Sequence, residues 1–207
     1  MNKSLSTPKL LDRLQRLAPE MGGVFSFSDL CNLIGAASEI KNAKVIARLL
    51  RDKVLQRAYR GFYIFGKNPD LWALASRIKN ESYVSMDSIL AKNGLVGTIP
   101  AKSVSLVYPG RKVVIKAPLD NSIRYFSIQP DLMFGFSRLK NGVLAADSEK
   151  AYLDLLYFYT KGARFVFDPL SEVILRKLDR RKLQRYLKQY KNPKFIKFVK
   201  GLLDEVD

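Results

Sequence analysis

Histidine is missing from this 207-residue chain, and cysteine occurs once, at Cys31. Without imidazole there is no Ser-His-Asp or Cys-His catalysis, and zinc sites built on Cys and His lack their ligands. A single thiol excludes a disulfide within the chain. Asp29-Leu30-Cys31-Asn32-Leu33 reads as a short amphipathic helix, in which Cys31 is a small, partly buried apolar residue rather than a nucleophile. Neither G-x-G-x-x-G nor G-x-x-x-x-G-K-[ST] occurs, so no glycine-rich phosphate loop is present. No apolar run approaches the length of a membrane span, and the N-terminal stretch carries charges where a signal peptide has its apolar core. The expectation is a cytoplasmic protein with no membrane association, no metal and no cofactor.

Acidic residues are also scarce: 19 Asp and Glu face 36 Lys and Arg, for a formal charge of +17. That excess favours a polyanionic partner. It is uneven. Residues 1–70 hold 12 basic and 6 acidic residues, residues 71–175 hold 13 and 9, and residues 176–207 hold 11 and 4, so the two ends carry the imbalance. Nearly half of the residues are hydrophobic, enough for a packed core.

The first zone reads as three helices and a hairpin. Pro8 opens a helix after Ser6 and Thr7, and Leu10, Leu11, Leu14 and Leu17 recur at helical spacing until Pro19 and Gly22-Gly23 end it. Val24 and Phe25 form an extended link. Ser26 or Ser28 caps a second helix through Ile34; Gly35-Ala36-Ala37 turns; Ser38 caps a third helix to about Lys53. On that helix Lys41, Lys44, Arg48 and Arg51 fall within an arc of about 80°. Ala43, Ile46, Ala47 and Leu50 are expected to form the packing face, with Val45 and Leu49 on its flank. Residues 54–65 read as two strands turning near Arg60-Gly61, with Arg57, Tyr59 and Arg60 on the hairpin. A basic helix of this width fits the major groove, and a following hairpin reaches the sugar-phosphate backbone or the minor groove. The predicted DNA-binding residues are Lys41, Asn42, Lys44, Arg48, Arg51, Arg57, Tyr59 and Arg60.

The middle zone mixes the two structure types. Helices are expected at 69–78, 86–93 and 148–161, the last capped by Asp147 and packing through Ala151, Leu155 and Phe158. Strands are expected at 104–108 and 113–117, joined through Pro109-Gly110, and at 123–128 and 142–146. The last zone reads as two basic amphipathic helices broken at Asn192-Pro193, the second running from Lys194 to Glu205. Arg180, Arg181, Arg185 and Lys188 offer a second basic surface there.

Asp147, Glu149, Lys150 and Asp154 are the one cluster suggestive of chemistry, because carboxylates near a lysine suit a metal-dependent nuclease. A helix cap at Asp147 and an i,i+4 ion pair from Lys150 to Asp154 account for the same residues without catalysis.

Three segments carry a family resemblance. They are Gly61-Phe62-Tyr63-Ile64-Phe65-Gly66; Tyr83-Val84-Ser85-Met86-Asp87-Ser88-Ile89-Leu90 with Asn93-Gly94-Leu95; and Ala145-Ala146-Asp147-Ser148-Glu149-Lys150-Ala151-Tyr152-Leu153-Asp154-Leu155-Leu156. Over residues 20–165 the chain resembles the AbiEi family, antitoxins and transcriptional regulators of bacterial type IV toxin–antitoxin systems. It departs from the family pattern at Ile89 (usually Ala), Asn93 (often His), Ser148 (usually Pro) and Tyr152 (usually Leu).

The resemblance implies a non-catalytic protein whose N-terminal domain represses its own operon by binding inverted repeats in double-stranded DNA. Its C-terminal domain would counter a nucleotidyltransferase-like toxin without a stable complex. The expected fold class is α+β. A winged helix-turn-helix spans 1–66, a mixed α/β domain spans 67–175, and basic helices over 176–207 pack on or extend the second domain. Two other readings stay open: a nuclease using Asp147, Glu149 and Lys150, and a basic adaptor for RNA or an acidic protein.

Overall fold

The computed structural model describes residues 7–67, 69–97, 102–118 and 120–204. Ser6 and Glu205, expected near the two ends of the helical pattern, lie outside them. The architecture is mixed α+β, and the chain divides into two units. The first runs to Ile78 and the second starts at Lys79, except that Ala117 and Pro118 group with the first.

The first unit contains α1 (Thr7–Leu17), β1 (Val24–Ser26), α2 (Phe27–Ile34), α3 (Glu39–Arg51), β2 (Leu55–Tyr59), β3 (Phe62–Phe65) and α4 (Leu71–Ile78). Local signals set the boundaries of α2 and α3. The Ser26 hydroxyl accepts from Asp29 N–H at 3.1 Å while the Asp29 carboxylate accepts from Ser26 N–H at 2.7 Å, a reciprocal cap at the start of α2. Gly35 ends α2 at φ +64°, a left-handed backbone that a side chain would oppose. Ser38 caps α3 by accepting from Lys41 N–H. Val24 and Phe25, read as a link, form β1 instead: they pair with Ile64 and Tyr63 of β3, giving an antiparallel sheet in the order β1-β3-β2. Leu10, Leu14, Phe25, Leu30, Ile34, Ile46, Leu49, Leu55 and Tyr63 form the core beneath it.

The boundary expected at residue 66 falls at 78 because α4 is bonded into the first unit. Arg77 pairs with Asp29 and donates to the Val24 carbonyl at 3.3 Å. Sequence spacing could not show this, since the partners lie about fifty positions apart.

The second unit contains β4 (Tyr83–Val84), α5 (Asp87–Lys92), β5 (Ser103–Tyr108), β6 (Val113–Ala117), β7 (Asn121–Ser127), β8 (Phe136–Arg138), β9 (Leu144–Ala146), α6 (Ser148–Tyr159), α7 (Arg180–Leu187) and α8 (Pro193–Asp204). Its sheet is ordered β6-β7-β5-β4-β9-β8. β5 runs parallel to β7 and β4 parallel to β9, while the β4–β5 and β8–β9 pairs are antiparallel. Strands β5 and β6, although joined through Pro109-Gly110, are not neighbours, because β7 lies between them. Helix α6 is not one-sided as its spacing suggests. Residues 149–156 are buried all round, Glu149, Lys150 and Asp154 included. A helix that is apolar on most faces belongs inside a core.

Candidate nucleic-acid interface

Helix α3 buries Asn42, Ile46 and Leu49, with Val45 and Leu50 half-buried. The expected packing face is therefore turned by nearly a quarter of the helix: Ala43 and Ala47 are exposed and Leu49 is inside. An alanine loses little by facing water, so its apolar label misplaced the face, whereas burying Leu49 in place of an alanine removes far more apolar area. The turn leaves Lys41, Lys44, Arg48 and Arg51 on the side of α3 away from the core, centred about 150° from it at 100° per residue, and all four are exposed.

These cations have few internal ties. Arg48 donates to the Thr7 hydroxyl at 2.9 Å, which orients its guanidinium toward the start of α1. Arg51 lies 3.7 Å from Asp52 in a solvent-exposed pair, a contact worth little. Lys41 and Lys44 have no carboxylate within ion-pair reach among the described residues.

Asn42 was expected among the binding residues, and the structure corrects this. It is 7% exposed, and its Oδ1 accepts from Ala36 N–H at 3.2 Å. Its amide closes the turn between α2 and α3, because that N–H would otherwise be left without a partner next to the core.

The hairpin β2–β3 packs beside α3. Its register shifts between Arg57, opposite Tyr63, and Tyr59, opposite Phe62. The extra residue, Ala58, points into the core at 8% exposure. This bulge resets the alternation so that Arg57, Tyr59 and Arg60 all face outward. Arg57 also lies over the Tyr63 ring at 6.0 Å from its centroid. Seven of the eight expected residues thus share the exposed surface of the first unit.

The residues considered for nuclease chemistry are committed elsewhere. The Lys150 ammonium is fully buried, 2.6 Å from Asp154 and 4.3 Å above the centroid of the Phe134 ring. The Asp154 carboxylate also accepts from the Tyr83 hydroxyl at 2.9 Å and the Ser85 hydroxyl at 2.8 Å. Burial pushes its pKa up, and Lys150 and the two hydroxyls oppose that rise. Asp147 caps α6 by accepting from Lys150 N–H at 2.8 Å, and it accepts from the Tyr186 hydroxyl at 2.7 Å. Lys182 of α7 bridges Asp147 at 3.2 Å and Glu149 at 2.9 Å. Burial would raise Glu149, but Lys182 and the Asp179 N–H outweigh it and hold the carboxyl below its usual range. This network ties α7 to α6. Among the described residues no group of three or more His, Cys, Asp or Glu is placed to hold a metal.

Cys31 is half-buried, and burial followed by the charge of Glu39 pushes its thiol pKa up, the wrong direction for a nucleophile. On α7, Arg181, Arg185 and Lys188 are exposed along one face; Arg180 is half-buried. Among the described residues no helix is long and apolar enough to cross a membrane.

No family model matches the chain, and no curated protein matches it. Among solved structures it is similar to the crystal structure of the RV2827C protein from Mycobacterium tuberculosis. The identity is 14% and the TM-score 0.61, over 98% of this chain and 78% of that one. At that identity the likeness is one of fold alone.

Proposed function

We propose that the first unit is a winged helix-turn-helix and that the protein is a DNA-binding transcriptional autorepressor and antitoxin of a bacterial type IV toxin–antitoxin system. The observation that carries the DNA-binding half is the exposed cationic face of α3, set opposite the core and flanked by the outward-facing Arg57, Tyr59 and Arg60. The element order supports it too: two capped helices joined at Gly35, then a hairpin completing a three-stranded sheet. In this reading α2 crosses the backbone, α3 enters the major groove, and the hairpin grips phosphate or the minor groove.

The antitoxin half rests on the resemblance of residues 20–165 to the AbiEi family, with the second unit acting against a nucleotidyltransferase-like toxin in the cytoplasm without a stable complex. Commitment of Asp147, Glu149, Lys150 and Asp154 to helix capping and buried ion pairs favours binding over catalysis.

Replacing Lys44 and Arg48 together by Ala tests the first half. Each cation that neutralises a phosphate contributes roughly one unit to the slope of log affinity against log salt. The double variant should bind DNA more weakly and lower that slope by one to two units, read by fluorescence anisotropy. An unchanged slope and affinity would remove α3 from the interface. The second half predicts a nucleotidyltransferase-like reading frame beside this gene whose toxicity is relieved when this chain is co-expressed; absence of such a frame, or continued toxicity, would count against it.

A further inference from the structure

Ile40 lies in the first turn of α3 and is 71% exposed, the largest value among the exposed large apolar side chains of the described residues. Ala43 and Ala47 follow at i+3 and i+7, both exposed, so an apolar strip runs along the helix beside Lys44 and Arg48. A lone exposed apolar residue is ordinary. One that heads such a strip, next to an exposed cationic face, suits a partner that is anionic at its edges and carries an isolated apolar group between them.

A DNA major groove has that pattern. Phosphates line both margins, and the thymine C5 methyl is the apolar group on the base edges. The N-terminal residues of a recognition helix are those that reach base edges. Isoleucine has no polar atom beyond its backbone, so opposite a guanine or cytosine edge it would desolvate donors and acceptors without replacing their hydrogen bonds. We infer that Ile40, with Ala43 behind it, is a specificity residue that reads thymine methyl groups where the first turn of α3 enters the groove. This rests on the DNA-binding reading above.

The test uses the full chain and a duplex it selects from a random-sequence pool. Each thymine of that duplex is replaced in turn by deoxyuridine, which removes one methyl and no hydrogen-bonding group. At one or two positions the substitution should weaken binding about fourfold, the value of one buried methyl-sized group. Ile40→Ala should bind the thymine and deoxyuridine duplexes alike, with its salt slope and thermal midpoint unchanged, because the side chain is uncharged and exposed. Loss of discrimination in Ile40→Ala alone supports the inference. It is overturned if no thymine position matters, or if Ile40→Ala still discriminates. Should Lys44→Ala with Arg48→Ala lower the slope while no methyl is sensed, the DNA-binding reading stands and this inference falls. A protein that enriches and binds no duplex overturns the DNA-binding reading itself.

Discussion

Lys44 and Lys150 sit on helices of similar length, 13 residues in α3 and 12 in α6, yet their surroundings are opposite. Lys44 is exposed, with no carboxylate in reach among the described residues. Lys150 is fully buried against Asp154, over aromatic rings. Arg124 makes a second such pair with the fully buried Asp87, aided by a bond to the Ser105 hydroxyl at 2.8 Å. In the second unit charge is spent on holding the fold, because a cation taken from water is tolerable only when paired and hydrogen-bonded. On α3 the cations are exposed and only loosely tied, and in the proposed reading that charge meets a polyanion. The count of 36 basic side chains therefore overstates the binding surface, although the net +17 does not, because each buried pair joins one cation to one carboxylate.

The comparison breaks most clearly at Asp154. Asp154→Ala leaves Lys150 buried and unpaired and should cost about 3–5 kcal/mol in urea unfolding. Replacing the pair together, Lys150→Met with Asp154→Leu, should recover part of that loss; it will not recover all, because the Tyr83 and Ser85 hydroxyls lose their acceptor. A loss near zero for the single variant would mean that the pair does not hold the unit.

Asn42→Ala should come next, at roughly 1–3 kcal/mol, the penalty for a buried N–H left without an acceptor. Its salt slope for DNA should match the parent, which separates Asn42 from Lys44 and Arg48 despite their shared helix.

Glu149 provides a pH test. Its folded-state pKa lies below the ordinary 4.5, so its stabilising contribution is complete above that pH and is lost as pH falls through the folded value. Urea midpoints followed downward from pH 5 should drop less steeply in Glu149→Gln than in the parent. Parallel curves would show that the Lys182 bridge does not anchor α7. The smallest expected effect is on the other side of the comparison. Lys44→Ala with Arg48→Ala should shift stability by no more than about 0.5 kcal/mol each, as for exposed residues, Arg48 giving up only its exposed bond to the Thr7 hydroxyl. A larger loss would show that the cationic face serves the fold after all.

Much of the candidate interface was legible in the sequence, because its signals are local. Ser26 and Ser38 are short polar residues before helical runs, Gly35 can take the left-handed turn, and four cations recur at helical spacing. Ile40 was legible in part, since its angular position is computable, but its role appears only once the buried face is known. Asn42 misled because a polar residue among cations on one helix looks like part of the same surface. The bulge at Ala58 was not readable, as it depends on pairing with β3.

What the sequence determined by itself was therefore the local geometry of the first unit: helix starts and stops, the turn after α2, the hairpin, and the side of α3 that is cationic. Only the tertiary structure decided which face of α3 is inside, that α4 belongs to the first unit, that β7 separates β5 from β6, and that α6 is buried around its whole circumference with Lys150 inside. The reason is range. Caps and helical periodicity act over three or four residues, whereas the contacts that settled the rest join positions tens of residues apart, such as Arg77 with Asp29, Tyr83 with Asp154, and Lys150 with Tyr190.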